Sequence, residues 1–142
     1  ISNDDLVDVK ILFPISGKQV LSENNHSIIV RLDYGKCSVL LTGDLEEEGE
    51  LELLRYWPDY LDVEVLKVGH HGSKSSTTEP FLDRVSPKIG IVSAGRRNRY
   101  NHPHPSVIDR LKDRGIQILR TDQLGAIQIE SDSGECRVVS WD

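Results

Sequence analysis

The strongest constraint on this chain is a repeated local pattern: a short apolar run that stops in a polar turn carrying glycine. Residues 37–41 lead into Thr42-Gly43-Asp44, and residues 63–68 into Gly69-His70-His71-Gly72-Ser73. Residues 89–92 open into a long polar loop over 93–104. Apolar runs of this length bounded by turn signals read as buried strands. Helical patterns separate them. Over 44–57, Glu46, Glu47 and Glu48 suit the positive end of a helix dipole, and Leu51, Leu54 and Trp57 form a stripe. A second helix is predicted from Thr78, with Pro80 in its first turn, Phe81, Leu82 and Val85 inward, and Ser86-Pro87 as its end. A third runs from Pro105 through Val107, Ile108 and Leu111, with Gly115 as its stop.

The flanks add strands. Val7, Val9 and Ile11 alternate with polar residues up to Pro14, and a loop containing Ser16-Gly17 follows. His26 is predicted to start a strand. Residues 28–32 and 37–41 read as a hairpin around Asp33-Tyr34-Gly35-Lys36, and 116–119 as a further strand. A last pair, 126–129 and 136–141, flanks a turn at Ser131-Asp132-Ser133-Gly134. The order β, ββ, α, β, α, β, α, β, ββ implies an α/β fold, about three helices on a mixed sheet. Chemistry in such folds collects at the C-terminal ends of the strands.

Those ends carry three candidate features. Asp44 projects from a strand tip, its bland alternative being a helix N-cap. His70 and His71 point apart, so one can serve as ligand and the other in proton transfer; a pair of solvated loop histidines is the plain alternative. A carboxylate and an imidazole at neighbouring strand ends suit zinc or manganese, yet two or three ligands make only half a site. The third feature is Asn98-Arg99-Tyr100-Asn101-His102-Pro103-His104-Pro105, preceded by Arg96 and Arg97. It can contact phosphate and stack on a base, or merely cap the sheet edge as a basic loop. Asp122 lies in what reads as a simple turn.

Charge favours the phosphate reading. The 142 residues carry a net −6, but 1–62 hold 5 basic and 13 acidic side chains while 67–120 hold 11 and 4. Four of the five histidines fall in the basic stretch. A domain binds through a face rather than its average charge. Cys37 and Cys136 stand 99 positions apart without a CxxC partner, and separate thiols in strands are expected over a disulfide. No run spans a bilayer and no secretory signal opens the chain, which predicts a soluble piece. A start at Ile1 and the lack of methionine point to a segment excised from a longer protein.

Taken together, Asn24 to Leu32, Leu40-Leu41-Thr42-Gly43-Asp44, Val65 to Ser73, Asn98 to Pro105 and Arg120-Thr121-Asp122 with Gly125-Ala126-Ile127 resemble one family. It is the C-terminal metallo-β-lactamase-fold domain of ComEC-type competence proteins, the membrane channels of bacterial DNA uptake. The resemblance implies half of an αββα sandwich, with residues 1–142 as one domain lacking the early HxHxDH half. It implies two divalent metal ions, zinc or manganese, in the intact domain, and poor metal binding by this part alone. Asp44 matches the bridging carboxylate, and His70 or His71 the late histidine ligand. His70, His71 and His102 would be ligand, proton donor or phosphate contact. Lys74, Arg96, Arg97, Arg99, His102, His104 and Asp122 would line the substrate, and glycine is expected at 101.

The implied reaction is metal-dependent phosphodiester hydrolysis of DNA, the strand not taken up, with this part inactive alone. The implied parent lies in the bacterial cell membrane, with this domain on its extracytoplasmic side. Two rival readings are a non-catalytic DNA-binding domain and a phosphodiesterase for another ester, such as a cell-wall choline ester. The cut sandwich would expose apolar surface, so self-association is expected.

Overall fold

The computed structural model describes residues 7–15 and 22–139. A six-stranded sheet runs β1 (Asp8–Phe13), β2 (Ile29–Tyr34), β3 (Cys37–Leu41), β4 (Val65–Lys67), β5 (Ile89–Val92) and β6 (Gln117–Arg120), in that spatial order. The first two pairings are antiparallel, and β3 through β6 are mutually parallel. Parallel neighbours require crossovers, and the helices supply them: α1 (Glu47–Tyr56), α2 (Glu79–Val85) and α3 (Pro105–Asp113). All four parallel strands therefore finish at one edge of the sheet.

Alternation along the strands sets the two faces. Leu12, Leu40, Leu66, Val68 and Val92 point to one side and meet Leu45, Leu53, Phe81, Leu82, Val107 and Leu111 beneath the helices. Each such side chain, when fully buried, contributes roughly 1.5–3 kcal/mol. On the other side Val65, Ile89 and Leu119 are covered by a separate two-stranded sheet, β7 (Gln128–Glu130) and β8 (Arg137–Val139), through Ile127 and Cys136. This is the expected α/β architecture, one helix layer on one mixed sheet, half of an αββα sandwich.

Several local expectations need correction. The first helix begins at Glu47, three residues after Asp44, because Asn25 Oδ1 accepts the Glu46 N–H at 2.8 Å and the Ser75 carbonyl accepts the Glu47 N–H at 2.8 Å. Asp44 is thus free of capping. A fourth helix, α4 (Thr121–Leu124), replaces the turn expected around Asp122. His26 ends a 3-10 turn (Asn24–His26), and the strand starts only at Ile29. The Ser16-Gly17 loop and Trp141 lie outside the described residues.

The cysteines are also corrected: Cys37 and Cys136 form a disulfide across 99 positions. The β7–β8 hairpin folds back over the start of β3, and the half-buried Glu64 carboxylate accepts the Cys136 N–H at 2.8 Å and the Lys88 ammonium at 2.9 Å. Paired replacement by serine should lower unfolding free energy by about 3 kcal/mol, the middle of the typical range of about 2–4 kcal/mol for a disulfide. Denaturant titration of the oxidised and double-serine forms measures it, and equal midpoints would refute the structural role.

One part of the second face stays bare. Ile11, Val30 and Leu41 stand side by side across β1, β2 and β3, and Val9 continues the patch. Val9 is 57%, Ile11 68% and Leu41 36% exposed. Contiguous exposed apolar surface marks a face made for a partner layer. Residues 1–142 prepared alone should therefore self-associate, and Ile11→Lys should reduce it. Light scattering showing a monomer at high concentration would contradict this.

Candidate metal and phosphodiester site

The candidate residues lie at the ends of the four parallel strands. After β3 the chain turns through Thr42-Gly43, where a Cβ on Gly43 would sit 2.8 Å from Ser27 Oγ. That close approach lets Ser27 Oγ accept the Asp44 N–H at 2.9 Å and fixes the carboxylate at the tip. The Gly43 carbonyl accepts the His70 N–H at 3.1 Å, which ties the ends of β3 and β4 together.

After β4, His70 and His71 occupy the left-handed region, with φ of 45° and 55°. Non-glycine residues there cost roughly 1–3 kcal/mol each, and such strain persists only where surroundings hold it. Here the His70 carbonyl accepts the Ser73 N–H at 2.8 Å, and Ser76 Oγ donates to the Gly69 carbonyl at 2.8 Å. Gly72, at φ +82°, lies so close to Pro103 that a Cβ would meet it at 2.6 Å. The third loop therefore packs against the histidine turn and brings the His102 ring to 5.8 Å from His70.

The two adjacent histidines are not equivalent. His71 Nδ1 lies 2.7 Å from the Ser93 carbonyl, an acceptor only, so that nitrogen carries a proton, and in the neutral ring Nε2 is the atom that holds the lone pair. Nε2 is 3.5 Å from Asp44 Oδ1, and both side chains are about half exposed. Two acceptor atoms face one another across a gap suited to a cation. His70 turns elsewhere: its buried Nδ1 makes no hydrogen bond and stands 3.4 Å from Glu46 Oε1. Glu46 accepts from Ser75 Oγ at 2.8 Å and Ser22 Oγ at 3.1 Å. Burial opposes its ionisation, but the Ser75, Ser22 and Asn24 hydrogen bonds and the His70 charge hold its carboxyl below the usual range. His102 Nδ1 is buried and unpartnered, and burial followed by the charges of His70, His71 and His104 lowers its pKa, favouring the neutral ring.

Other sequence candidates are distributed differently. Arg99 Nη2 donates to the Tyr100 hydroxyl at 2.9 Å, Arg96 Nε to the Asp122 carbonyl at 3.2 Å, and Arg97 and Lys74 extend exposed. The Asp122 carboxylate is taken by Arg120, at 2.6 and 3.0 Å, whose hydrogen bond holds it well ionised. His104 caps α3, its Nδ1 accepting the Ser106 N–H at 3.2 Å. Asn101 has φ +55°, the conformation that explains why glycine is expected there and why asparagine is accepted.

Sequence reasoning missed two residues. Lys67, at the tip of β4, donates to the carbonyls of Gly43 at 3.0 Å and Val68 at 3.3 Å. Burial pushes its pKa down, opposed by the Asp44 charge. A lone cation ending an apolar strand was its only signal. Glu46 read as a helix-dipole acid, and nothing in its spacing pointed to His70.

A family model described as the metallo-beta-lactamase superfamily matches residues 3–96. The chain belongs to that superfamily. It is 50% identical over 107 residues to ComE operon protein 3 of Bacillus subtilis (strain 168), covering 75% of this chain and 14% of that protein. Competence protein ComA of Neisseria gonorrhoeae is 40% identical over 124 residues, 87% of this chain and 18% of the relative. Recombination protein 2 of Haemophilus influenzae (strain ATCC 51907 / DSM 11121 / KW20 / Rd) is 41% identical over 108 residues, 76% and 13%. The chain thus spans under a fifth of each of these relatives. The resemblance to competence proteins read from the motifs is thereby shown.

Metallo-beta-lactamase superfamily proteins usually bind divalent metals, and the donor chemistry here fits in part. Asp44 Oδ1 and His71 Nε2 converge with free lone pairs, and His71 has the carbonyl partner at its other nitrogen that metal-binding histidines use. Among the described residues the tips do not bring three ligand atoms together. The one such trio, Cys37, Glu64 and Cys136, is consumed by the disulfide. No described helix is long and apolar enough to cross a membrane.

Proposed function

We propose that this domain hydrolyses phosphodiesters of DNA, in a metal-dependent reaction, as part of a membrane protein of DNA uptake. The observation that carries the proposal is the facing pair Asp44 Oδ1 and His71 Nε2, 3.5 Å apart at the end of parallel strands. Asp44 and His71 would hold a divalent ion, zinc or manganese, with the remaining ligands from elsewhere in the parent. When bound, that ion supplies Lewis-acid polarisation of a phosphoryl oxygen and acidifies water. His70 braces the turn through Glu46. His102, neutral and beside His70, takes up or returns the proton during attack. Arg97, Lys74, Arg96 and Arg99 position the strand by its phosphates. The disulfide supports a place on the extracytoplasmic side, where disulfides persist.

The exposed arginines favour a polyanion over a choline ester, whose cationic head they would repel. Chelation separates catalysis from simple binding. The full-length protein should cleave single-stranded DNA with manganese or zinc and stop in EDTA. Binding that survives chelation with no cleavage under any metal would instead identify a non-catalytic DNA-binding domain. Replacing Lys74 and Arg97 with alanine should reduce the slope of log affinity against log salt by about 0.7 per lost phosphate contact. An unchanged slope would remove both from the interface.

A further inference from the structure

We infer that the cavity beside His71 is a pocket for one unstacked nucleobase of a single strand, with Tyr100 as its stacking surface. The inference rests on the phosphodiester reading above and names which part of the substrate lies next to the reacting group. The cavity has a volume of about 430 Å³ and is lined by His71, Ala94, Gly95, Asn98, Tyr100 and His102, together with Ser93. That size falls in the range of about 300–1,000 Å³ typical of small-ligand pockets.

Asn98 and the Ser93 carbonyl, two polar groups of its wall, are already engaged. Asn98 Nδ2 donates to the Gly95 and His102 carbonyls, each at 2.8 Å, and its Oδ1 accepts the His102 N–H at 2.8 Å. The Ser93 carbonyl is taken by His71. The loop is therefore shaped before a ligand arrives, which lowers the cost of binding. What it offers is aromatic and apolar surface with few free hydrogen-bonding groups. Such surface grips the face of any base and reads little sequence.

Tyr100 is 64% exposed, which leaves its ring accessible to a ligand. Its orientation is set by two neighbours. His102 stacks at 5.9 Å with 19° between planes, and the Arg99 guanidinium lies 5.0 Å from the ring centroid. Aromatic pockets also accept quaternary ammonium groups, but three arginines at 96, 97 and 99 oppose a cation here. The same charges favour the phosphates that flank a base. A base inside a duplex is stacked and paired and cannot enter without being flipped out, so the pocket selects single strands.

The test is fluorescence anisotropy on the full-length protein in EDTA, with an oligothymidylate, an abasic strand of equal length and a duplex as probes. Tyr100→Ala should weaken oligothymidylate binding by roughly 10- to 100-fold, the scale of one lost base stack, and alter abasic binding less than about twofold. Tyr100→Phe should bind as the parent does. Gly95→Leu tests the cavity without touching Tyr100, because a Cβ there meets nothing nearer than Asn98 Cβ at 4.0 Å. It should reproduce the loss on oligothymidylate alone. Equal losses on oligothymidylate and abasic strand, or no loss on either, would overturn the pocket. Cleavage is scored separately, with metal. Base-selective binding in a protein that never cleaves sinks the nuclease reading and leaves the pocket standing, whereas cleavage without base selectivity does the reverse.

Discussion

His71→Ala should lower metal-dependent DNA cleavage by the full-length protein by more than about 100-fold, beyond the 10–100-fold typical of losing an outer partner of a ligand. The reason is its tautomer. The Ser93 carbonyl holds the proton on Nδ1, so Nε2 of the neutral ring presents its lone pair on the side facing Asp44. His70→Ala should cost less, about 10–100-fold, because His70 acts through Glu46 and the shape of the strained turn. The two variants, compared in single-turnover cleavage at saturating metal, assign a pair that sequence leaves ambiguous. A larger loss at His70 than at His71 would reverse the assignment.

The largest effect on stability is expected at Glu50. This carboxylate is 1% exposed and serves as the anchor for the start of α2. It accepts the Thr77 N–H, the Thr78 N–H at 2.9 Å and the Thr78 hydroxyl at 2.7 Å. Arg110 completes the arrangement by donating to the Thr77 carbonyl at 2.7 Å. Glu50→Ala leaves these donors buried without an acceptor and should cost about 3–5 kcal/mol. Denaturant unfolding reads this, and a loss below about 1 kcal/mol would show that water replaces the carboxylate.

Glu50 also predicts a pH dependence. Burial raises its pKa, and the Thr78 and Thr77 hydrogen bonds and the Arg110 charge offset that only in part. A carboxyl with a raised folded pKa binds its proton more tightly when folded. Its contribution is therefore present on the acid side of its unfolded value and lost as pH rises through the folded one. Glu50→Gln should remove this decline from the stability profile.

These two sites differ in how legible they are. Asp44 and the histidine pair stood out in sequence because parallel buried strands end abruptly, and a glycine turn must then present whatever follows. The ends of α2 and α3 were equally local: Pro80 in the first turn of α2 and Gly115, at φ +67° after α3, act on their own neighbours. Glu50 was invisible because its partners lie 27 and 28 positions away, and within its own helix it reads as one more surface acid. The same long range hid the disulfide, which joins chain segments only after the hairpin β7–β8 folds over β3. The start of α1 moved from 44 to 47 for a similar reason, since Asn25 and Ser75 satisfy the first amides from other parts of the fold. His104, inside the basic stretch, and Asp122, just past it, show the converse: both are engaged by neighbours two residues away.

The central claim is that Asp44 at the strand tip is a metal ligand for phosphodiester hydrolysis. The most direct measurement is cleavage of a single-stranded oligonucleotide by the full-length protein in manganese or zinc, wild type against Asp44→Ala. The account predicts loss of cleavage in the variant with DNA binding retained in EDTA. Equal cleavage by both proteins would contradict it.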